Sequence, residues 1–333
     1  MLIKQAIPTN VITGFLGAGK STAIRYLLMN KPKHERWAVL VNEFGDVGVD
    51  GVLIEEGQAS EQEVFVREVP GGCMCCAAGA PMRVALNQLL KQSRPHRLLI
   101  EPTGLGHPKE ILRVLQQKSY QGILSVCATL TLLDARNINN ALYCENQIFL
   151  DQLSVADILV ANKHDLYAPD DLSRLATFLH ERHLGDLSIQ VVSQGEINST
   201  WLDQLSRSNN ACEAMPMSLV FDEQLSLVDR DALPDCGYMR RDHVIEGFAS
   251  SGWIFDARYR FNLEEIQGIL NDVNALRVKA VVVTEQGMFS YNRVDSLAHV
   301  EPIARLDESR IEVIGASLEA WSDLHRILIH VVS

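Results

Sequence analysis

The stretch GFLGAGKS, residues 14–21, decides the fold of the first part of this chain. It matches G-x-x-x-x-G-K-[ST], the phosphate-binding P-loop, whose glycines let backbone N–H groups turn inward around phosphate oxygens. An apolar run precedes the motif, and Ile24, Leu27 and Leu28 follow it at helical spacing. The order strand, loop, helix favours a P-loop over a glycine-rich turn with a surface lysine. Phosphate binding needs this order, because the N-terminus of the helix then adds its partial positive charge to the loop. We expect Lys20 to reach the β- and γ-phosphates and the Ser21 hydroxyl to bind Mg²⁺.

Short apolar strands alternate with helical segments up to residue 206, which predicts a P-loop NTPase domain over residues 1–206. This α/β pattern indicates a mainly parallel sheet flanked by helices on both faces. Besides the strand before the P-loop, strands are expected at 37–45, 97–104, 130–135, 157–165 and 188–193, and helices include 80–92 and 108–118.

Past residue 206 the chain becomes polar and weakly periodic, which predicts a linker over residues 207–243. A small α+β domain with an antiparallel sheet is expected over residues 244–333. Its predicted strands are 243–256, 277–284, 288–294 and 310–316, and its predicted helices are 262–276 and 318–331.

The tetrapeptide NKHD follows the predicted strand near residue 160 and matches N-K-x-D, with Asn162, Lys163 and Asp165 at the fixed positions. A carboxylate at Asp165 can accept hydrogen bonds from both the ring N–H and the amino group of guanine. Adenine has no such pair of donors on that edge, so the motif favours GTP over ATP, since an unpaired buried carboxylate is costly. A helix-capping turn is the alternative interpretation.

Acidic residues follow two further predicted strands. Glu101 ends the strand in LIEPTG, where P-loop enzymes keep an acid for Mg²⁺ or its waters, and Gly104 leaves room for a γ-phosphate contact. Glu43, Asp46 and Asp50 lie in VNEFGDVGVDG, a glycine-punctuated stretch that could sense the γ-phosphate. Solvated loop residues are the alternative for these three acids.

Three cysteines, Cys73, Cys75 and Cys76, follow two glycines in VPGGCMCC. A disulfide between such close neighbours would be strained, and the thioredoxin-like context of a C-x-x-C redox pair is missing. Three thiolates on one loop can converge on a soft ion, and no second cysteine pair completes a structural zinc site. A transferable Zn²⁺ site is therefore favoured over redox chemistry or packing, with Glu43 as a further candidate ligand.

The composition limits the possible partners. The chain has 333 residues, enough for about two domains, and a net charge of −12, which argues against a nucleic-acid partner. No apolar run reaches the roughly 18 residues that cross a bilayer, and the N-terminus lacks the pattern of a signal peptide. We therefore expect a cytoplasmic protein without a membrane partner.

The motifs TGFLGAGKST, NEFG, GGCMCC, EPTGLGHP and NKHD, in this order, resemble the CobW/HypB/UreG-type family of metal-handling P-loop GTPases, in its CobW-like branch with C-x-C-C. The resemblance implies a zinc-binding GTPase that couples GTP binding and hydrolysis to metal delivery to a client metalloprotein. It implies GTP, Mg²⁺ and Zn²⁺ as cofactors and a CobW-type C-terminal domain. Self-association that depends on nucleotide or metal is a further possible partnership.

Residue roles transfer by position from that family. The implied metal ligands are Cys73, Cys75 and Cys76. The implied nucleotide-binding residues are Gly14, Gly17, Ala18, Gly19, Lys20, Ser21, Thr22, Asn162, Lys163 and Asp165. The P-loop motif and the strand end in LIEPTG add Lys20 and Glu101 as candidate catalytic residues and Gly104 as a further nucleotide-binding candidate.

Two features depart from the family pattern. Val41 stands where some relatives have an acid, and residues 207–242 contain no histidine, which argues against bulk metal storage.

Slow intrinsic hydrolysis is expected because no arginine finger or water-positioning glutamine is evident. The alternative functions are a P-loop kinase of a small molecule with a structural zinc, and a metal-responsive, nucleotide-gated regulator. His107 is a possible fourth metal ligand, with a surface histidine as the alternative.

Overall fold

The computed structural model describes two compact units of the chain. The described residues of the first unit are 6–41, 64–69 and 80–206. Those of the second unit are 233–245, 248–294, 297–303, 306 and 308–332. Cys73, Cys75, Cys76 and the acids of the predicted γ-phosphate-sensing stretch lie outside the described residues.

The first unit is built on an eight-stranded sheet in which every described strand pair is parallel. Its strands are β1 (Ile7–Gly14), β2 (Trp37–Val41), β3 (Val64–Glu68), β4 (Arg97–Glu101), β5 (Leu124–Val126), β6 (Leu130–Leu133), β7 (Ile158–Ala161) and β8 (Ser188–Val191). The order is β3-β2-β4-β1-β6-β7-β8, and β5 also pairs with β1. The strand that enters the P-loop is therefore central, with β4 and β6 beside it.

Helices connect these parallel strands, as crossover connections require. They are α1 (Lys20–Met29), α2 (Ala80–Ser93), α3 (Pro108–Leu115), α4 (Ala141–Cys144), α5 (Gln147–Ser154) and α6 (Asp171–Glu181). The 3₁₀ segments are Lys118–Tyr120, Ala135–Asn139, His164–Leu166 and Ser199–Asp203.

Burial explains why the predicted strands form. Strands β2, β6 and β7 are buried at every position, as expected of short apolar strands covered on both faces of a parallel sheet. Helix α3 buries Ile111 and Leu115 and exposes Lys109 and Glu110, so one apolar stripe faces the core. Each fully buried leucine or isoleucine contributes about 1.5–3 kcal/mol of transfer free energy.

The predicted α/β fold with a mainly parallel sheet is confirmed, and the differences are local. Two strands predicted to run to Gly104 and Asp165 end at Glu101 and Ala161, because their polar tails leave the sheet as loops. The strands β3 and β5 were not predicted. Strand β3 mixes charged and apolar residues, and its described side chains are only partly buried, which weakens the apolar signal.

The second unit is a six-stranded sheet in which every described pair is antiparallel. Its strands are β9 (Tyr238–Ile245), β10 (Phe248–Asp256), β11 (Arg277–Thr284), β12 (Gly287–Val294), β13 (Leu297–Ile303) and β14 (Glu308–Gly315), in the order β13-β12-β11-β14-β10-β9. A 3₁₀ segment, Leu318–Trp321, and the helices α7 (Leu263–Asp272) and α8 (Leu324–Val331) accompany it. Its core includes Trp253, Phe255, Phe261 and Trp321.

Two predictions for this part of the chain were wrong in detail, and one strand was missed. The single strand predicted over 243–256 is the antiparallel pair β9 and β10, and β9 already begins at Tyr238. Its charged residues are tolerated because β9 is an edge strand. Strand β13, also at an edge and interrupted by Pro302, was not predicted. The helix predicted over 318–331 is divided into a 3₁₀ segment and α8.

Candidate functional site

The P-loop connects the carboxyl end of β1 to the first turn of α1, and two of its glycines are required by close neighbours. Gly14 has φ 146°, and a Cβ there would come within 2.2 Å of the Leu132 carbonyl oxygen in β6. Gly19, the N-cap of α1, has φ 94°, and a Cβ there would come within 2.3 Å of the Asn162 amide nitrogen. The motif glycines thus let two neighbouring strand ends approach the loop.

The side chain of Lys20 is folded into the loop that it is expected to serve. Lys20 is 6% exposed, and its Nζ donates a 2.9 Å hydrogen bond to the carbonyl oxygen of Gly14. A phosphate oxygen would attract this ammonium group more strongly than the neutral carbonyl does, because the phosphate oxygen carries negative charge. The ammonium group is thus held inside the loop, where an incoming phosphate can take over this bond.

The hydroxyl of Ser21 meets the carboxylate of Glu101. Ser21 Oγ donates a 3.0 Å hydrogen bond to Glu101 Oε1, and Glu101 is 2% exposed at the end of β4. A hydroxyl and a carboxylate beside a phosphate loop are hard oxygen ligands of the kind that Mg²⁺ prefers. The donor set therefore fits the Mg²⁺ ion that accompanies a nucleoside triphosphate.

The loop after β4 lies against the P-loop. A Cβ at Gly104 would come within 2.8 Å of Leu16 Cδ2 and 3.1 Å of the Leu16 backbone nitrogen. Gly104, which is expected to leave room for a γ-phosphate contact, therefore has the P-loop backbone as its close neighbour. Gln152 of α5 fixes this loop, since its Nε2 donates to the carbonyl oxygens of Gly104, at 3.1 Å, and Gly106, at 3.2 Å.

Asn162, the first residue of N-K-x-D, connects three segments at the carboxyl edge of the parallel sheet. This edge, which carries the P-loop, the end of β7 and the loop after β8, is called the nucleotide edge below. Its Nδ2 donates to the Ala18 carbonyl oxygen at 2.9 Å, and its Oδ1 accepts from the Gly195 N–H at 2.9 Å. The side chain is buried, with 1% of the residue exposed. Asn162 therefore joins the P-loop, the end of β7 and the loop after β8.

The other two residues of the motif differ in exposure. Lys163 has φ 63°, in the left-handed region, and its Nζ lies 3.5 Å from Asp134 Oδ2. Asp165 is exposed within the 3₁₀ segment His164–Leu166, so its carboxylate is accessible to a base from solvent. The ring of His164, also exposed, lies edge-on to the ring of Tyr167 with the centroids 5.6 Å apart.

Sequence reasoning missed several residues of this edge. Gln194, with φ 51°, and Gly195, with φ 74°, follow β8, and a Cβ at Gly195 would come within 2.8 Å of the Ala23 backbone nitrogen. Asp134 follows β6, and Tyr167 follows the guanine motif. The rule that ligands bind at the carboxyl ends of parallel strands would have pointed to the loops that contain Asp134 and Gly195.

His107 lies beside a carboxylate rather than in an isolated surface position. Its Nδ1 is 3.8 Å from Asp151 Oδ2, and Lys109 Nζ donates to Asp151 Oδ1 at 2.7 Å. Burial raises the pKa of Asp151, but the hydrogen bonds from Lys109 and Gln147 outweigh it and hold that pKa below its ordinary value. His107, at the start of α3, therefore faces the ionised carboxylate of Asp151 on α5.

The predicted zinc ligands Cys73, Cys75, Cys76 and Glu43 lie outside the described residues, so their role stays a prediction. Within the ranges that the structure describes, no three or more histidine, cysteine or acidic side chains are grouped to hold a metal ion. Cys127, Cys144 and Cys236 are free thiols. In the same ranges, no helix has the length and apolar character to cross a membrane.

A P-loop joined through Asn162 to an N-K-x-D motif on a parallel sheet defines a P-loop nucleotide-binding protein. The model of the CobW/HypB/UreG nucleotide-binding domain matches residues 8–184, and the chain belongs to this family. The resemblance drawn from the motifs is thereby confirmed.

Individual relatives are similar over different lengths. The chain is 40% identical over 328 residues to the zinc chaperone YeiR of Escherichia coli K12, covering 96% of this chain and 97% of that protein. It is 34% identical over 170 residues to the zinc-regulated GTPase metalloprotein activator 1 of Schizosaccharomyces pombe, covering 50% of this chain and 41% of that protein. The crystal structure of zinc-bound YjiA GTPase from E. coli aligns over 98% of this chain and 99% of its own, with 20% identity and a TM-score of 0.42.

Proposed function

We propose that this chain is a GTP-hydrolysing zinc chaperone that carries Zn²⁺ as cargo and transfers it to a client metalloprotein. The observation that carries the proposal is the pair of hydrogen bonds by which Asn162 of the guanine motif contacts the P-loop at Ala18 and the loop after β8 at Gly195. The chain that contains this pair is 40% identical, over 96% of its length, to a protein named a zinc chaperone.

The described residues divide the work of binding GTP between the two ends of the nucleotide. The P-loop N–H groups and the ammonium of Lys20 would neutralise the phosphates, while Asp165 would accept two hydrogen bonds from guanine. Ser21 and Glu101 would hold Mg²⁺, which, when bound, neutralises charge on the phosphates. Glu101 also orients the Ser21 hydroxyl through the 3.0 Å hydrogen bond between them.

Hydrolysis by the isolated protein is expected to be slow. The amide of Gln152 lies close to the loop after β4, but its nitrogen is already committed to the carbonyl oxygens of Gly104 and Gly106. The residue is 0% exposed, so this amide supports the loop from a buried position and is not open to a water molecule from solvent. A client or a second copy that supplies a missing group would accelerate the reaction, as charge-stabilising residues supplied by a partner do in other GTPases.

The proposed coupling between nucleotide and zinc rests on where the cysteine stretch begins. The backbone N–H of Val69, which immediately follows β3, donates to the Val41 carbonyl oxygen at 3.0 Å. The stretch with Cys73, Cys75 and Cys76 therefore starts at the carboxyl edge of the same sheet that presents the P-loop. We expect GTP to change the zinc affinity of these thiolates through the loops at this edge. The client, self-association and cytoplasmic location remain predictions.

Calorimetry of Zn²⁺ binding in the presence of GDP, a non-hydrolysable GTP analogue or no nucleotide tests the proposal. Cys75→Ser is expected to weaken Zn²⁺ binding at least about tenfold, and zinc affinity should differ about fivefold or more between the two nucleotides. The matched control is Cys236→Ser, which replaces an exposed cysteine of the second unit and should change neither value.

Each part of the proposal has its own contrary result. Equal zinc affinity in all three nucleotide states would reject the coupling. Retention of full zinc affinity in Cys75→Ser would reject the cysteine site. Phosphate release from GTP without an acceptor would separate a GTPase from a small-molecule kinase, and no release at all would reject hydrolysis.

A further inference from the structure

A buried carboxylate, Asp134, lies behind the guanine motif at the carboxyl end of β6. Its side chain is 3% exposed and caps the 3₁₀ segment Ala135–Asn139, where its Oδ1 accepts from the Arg136 N–H at 3.2 Å. Strand β6 lies between β1, which enters the P-loop, and β7, which leads into Asn162. Asp134 therefore occupies the strand end between the phosphate loop and the base-reading loop.

Asp134 binds two cationic side chains. Arg136 forms a two-pronged ion pair with it, with Nε 2.9 Å from Oδ1 and Nη2 2.6 Å from Oδ2. The second cation is Lys163 of N-K-x-D, whose Nζ lies 3.5 Å from Asp134 Oδ2. This ion pair joins the side chain of Lys163, which follows β7, to the carboxyl end of β6.

The backbone of Lys163 needs such support. It has φ 63° and ψ 34°, a left-handed conformation that residues with a Cβ seldom adopt. The next N–H, of His164, donates to the Val192 carbonyl oxygen at 3.1 Å. A strained residue at this position persists only when the surrounding contacts determine it, and Asp134 is one of those contacts.

Tyr167 ties the same two strand ends through one hydroxyl group. Its OH donates to the Asn162 carbonyl oxygen at 2.5 Å and accepts from the Ala135 N–H at 2.9 Å. Burial raises the pKa of Tyr167, which keeps the hydroxyl protonated and able to donate. Removing the hydroxyl would leave the N–H of Ala135, a residue 1% exposed, without this acceptor.

We propose that Asp134 and Tyr167 are positioning residues that set the selectivity of this chain for guanine. They hold the Lys163 ammonium group and the Asn162 carbonyl in place before a nucleotide arrives, so that Asp165 meets the base edge without rearrangement. Neither residue needs to touch the nucleotide. The inference rests on the proposed binding of GTP and deepens it. A loop that is already ordered cannot adapt to a base that lacks a donor, so the lost hydrogen bond costs its full binding free energy.

The pair GDP and IDP separates selectivity from mere stability. Inosine lacks the exocyclic amino group, so IDP forms one hydrogen bond fewer with Asp165. A rigid loop leaves that carboxylate oxygen unpaired and rejects IDP, whereas a loose loop adapts and discriminates less. A purely structural role for Asp134 and Tyr167 would lower the melting temperature and leave the ratio of the two affinities unchanged.

The experiment measures the Kd of GDP, IDP and ADP, and the melting temperature, for the full-length protein and its variants. We expect the wild type to prefer GDP over IDP about tenfold or more. Tyr167→Phe and Asp134→Asn should bind GDP about tenfold more weakly and retain a preference of about threefold or less. Tyr120→Phe is the matched control, because Tyr120 is also buried and bonds Asn87 Oδ1 at 3.2 Å, and it should keep the wild-type ratio.

Two further variants test whether Asp134 acts on the base-reading loop through its ion pair with Lys163, which is called the route through Lys163 below. Asp134→Glu retains the carboxylate and should restore part of the lost preference. In a Lys163→Met background, Asp134→Asn should change GDP affinity by less than about twofold, because the anchored ammonium group is already gone.

The contrary outcomes are distinct. A wild-type GDP to IDP ratio in both Tyr167→Phe and Asp134→Asn would overturn the inference while leaving GTP binding intact. Fully independent effects of Asp134→Asn and Lys163→Met would overturn the proposed route through Lys163. A wild-type protein that fails to distinguish GDP from ADP would instead overturn the proposed function, and the inference with it.

Discussion

Ser21 Oγ donates a 3.0 Å hydrogen bond to Glu101 Oε1, joining the first turn of α1 to the end of β4 across 80 residues of sequence. Glu101 is in register with Val41 on β2, and Val11 of β1, the strand that enters the P-loop, pairs with Ile100 on the other side of β4. Three adjacent strands therefore bring the hydroxyl and the carboxylate together at one edge of the sheet.

Replacing Glu101 with glutamine should separate catalysis from binding. In Glu101→Gln the amide oxygen can still accept from Ser21, but the negative charge that would support Mg²⁺ is lost. We expect GTP hydrolysis to fall about 100-fold while GDP affinity changes less than about threefold. Phosphate release and calorimetry measure the two quantities. Glu181→Gln, at the exposed end of α6, is the control, and a fully active Glu101→Gln would remove Glu101 from the catalytic set.

Truncating Asn162 should destabilise the nucleotide edge even without nucleotide. Asn162→Ala leaves the carbonyl of Ala18 and the N–H of Gly195 without their 2.9 Å partners in a buried position. The free energy of unfolding in urea should fall by about 2–4 kcal/mol. Asn30→Ala, which removes an exposed 2.8 Å bond to the Tyr26 carbonyl oxygen, should cost less than about 1 kcal/mol. Equal losses in the two variants would contradict the bridging role of Asn162.

The amide of Gln152 should control the loop after β4. Gln152→Met keeps the side-chain volume but removes the donor shared by the carbonyl oxygens of Gly104 and Gly106. We expect a loss of about 1–3 kcal/mol in the free energy of unfolding and faster hydrogen exchange at the amides of residues 104–106. Gln147→Met, on the exposed side of the same helix, provides the comparison. Unchanged exchange in Gln152→Met would show that the loop is held by other contacts.

The second unit should lose stability in mild acid through His325. Trp253 Nε1 donates to His325 Nδ1 at 3.1 Å, a bond that requires Nδ1 to be unprotonated. Burial, reinforced by Arg240 and opposed by Asp242, lowers the pKa of His325 below its ordinary value of 6.5. The unfolded chain therefore binds the proton more readily than the folded chain. The stabilising contribution is present above pH 6.5 and is lost as the pH falls through the lower folded-state pKa.

Unfolding followed by tryptophan fluorescence between about pH 5 and 8 measures this effect. In His325→Gln the side-chain oxygen can accept from Trp253 at every pH, so the dependence of the free energy of unfolding on pH should flatten. The same slope in the wild type and in His325→Gln would assign the titration to another group.

Local sequence signals predicted the first unit well because its strands are covered on both faces and its loops carry motif residues. Runs such as WAVLV and ILVA are uniformly apolar, and the glycines of the P-loop have positive φ angles. The edge strands β3, β9 and β13 were missed or misplaced, since an edge strand has weaker burial demands and tolerates charge and proline.

By itself, the sequence determined the kind of chemistry: a phosphate loop with Lys20, an acid at Glu101 and a base-reading motif that ends at Asp165. These signals are local, because backbone conformation and side-chain charge are set within a few residues. The tertiary structure alone decided which distant groups meet, such as Asn162 with Ala18 and Gly195, or Lys163 with Asp134. Those contacts follow from the strand order. The strand order results from packing two helical layers on one sheet, and no local sequence pattern encodes it.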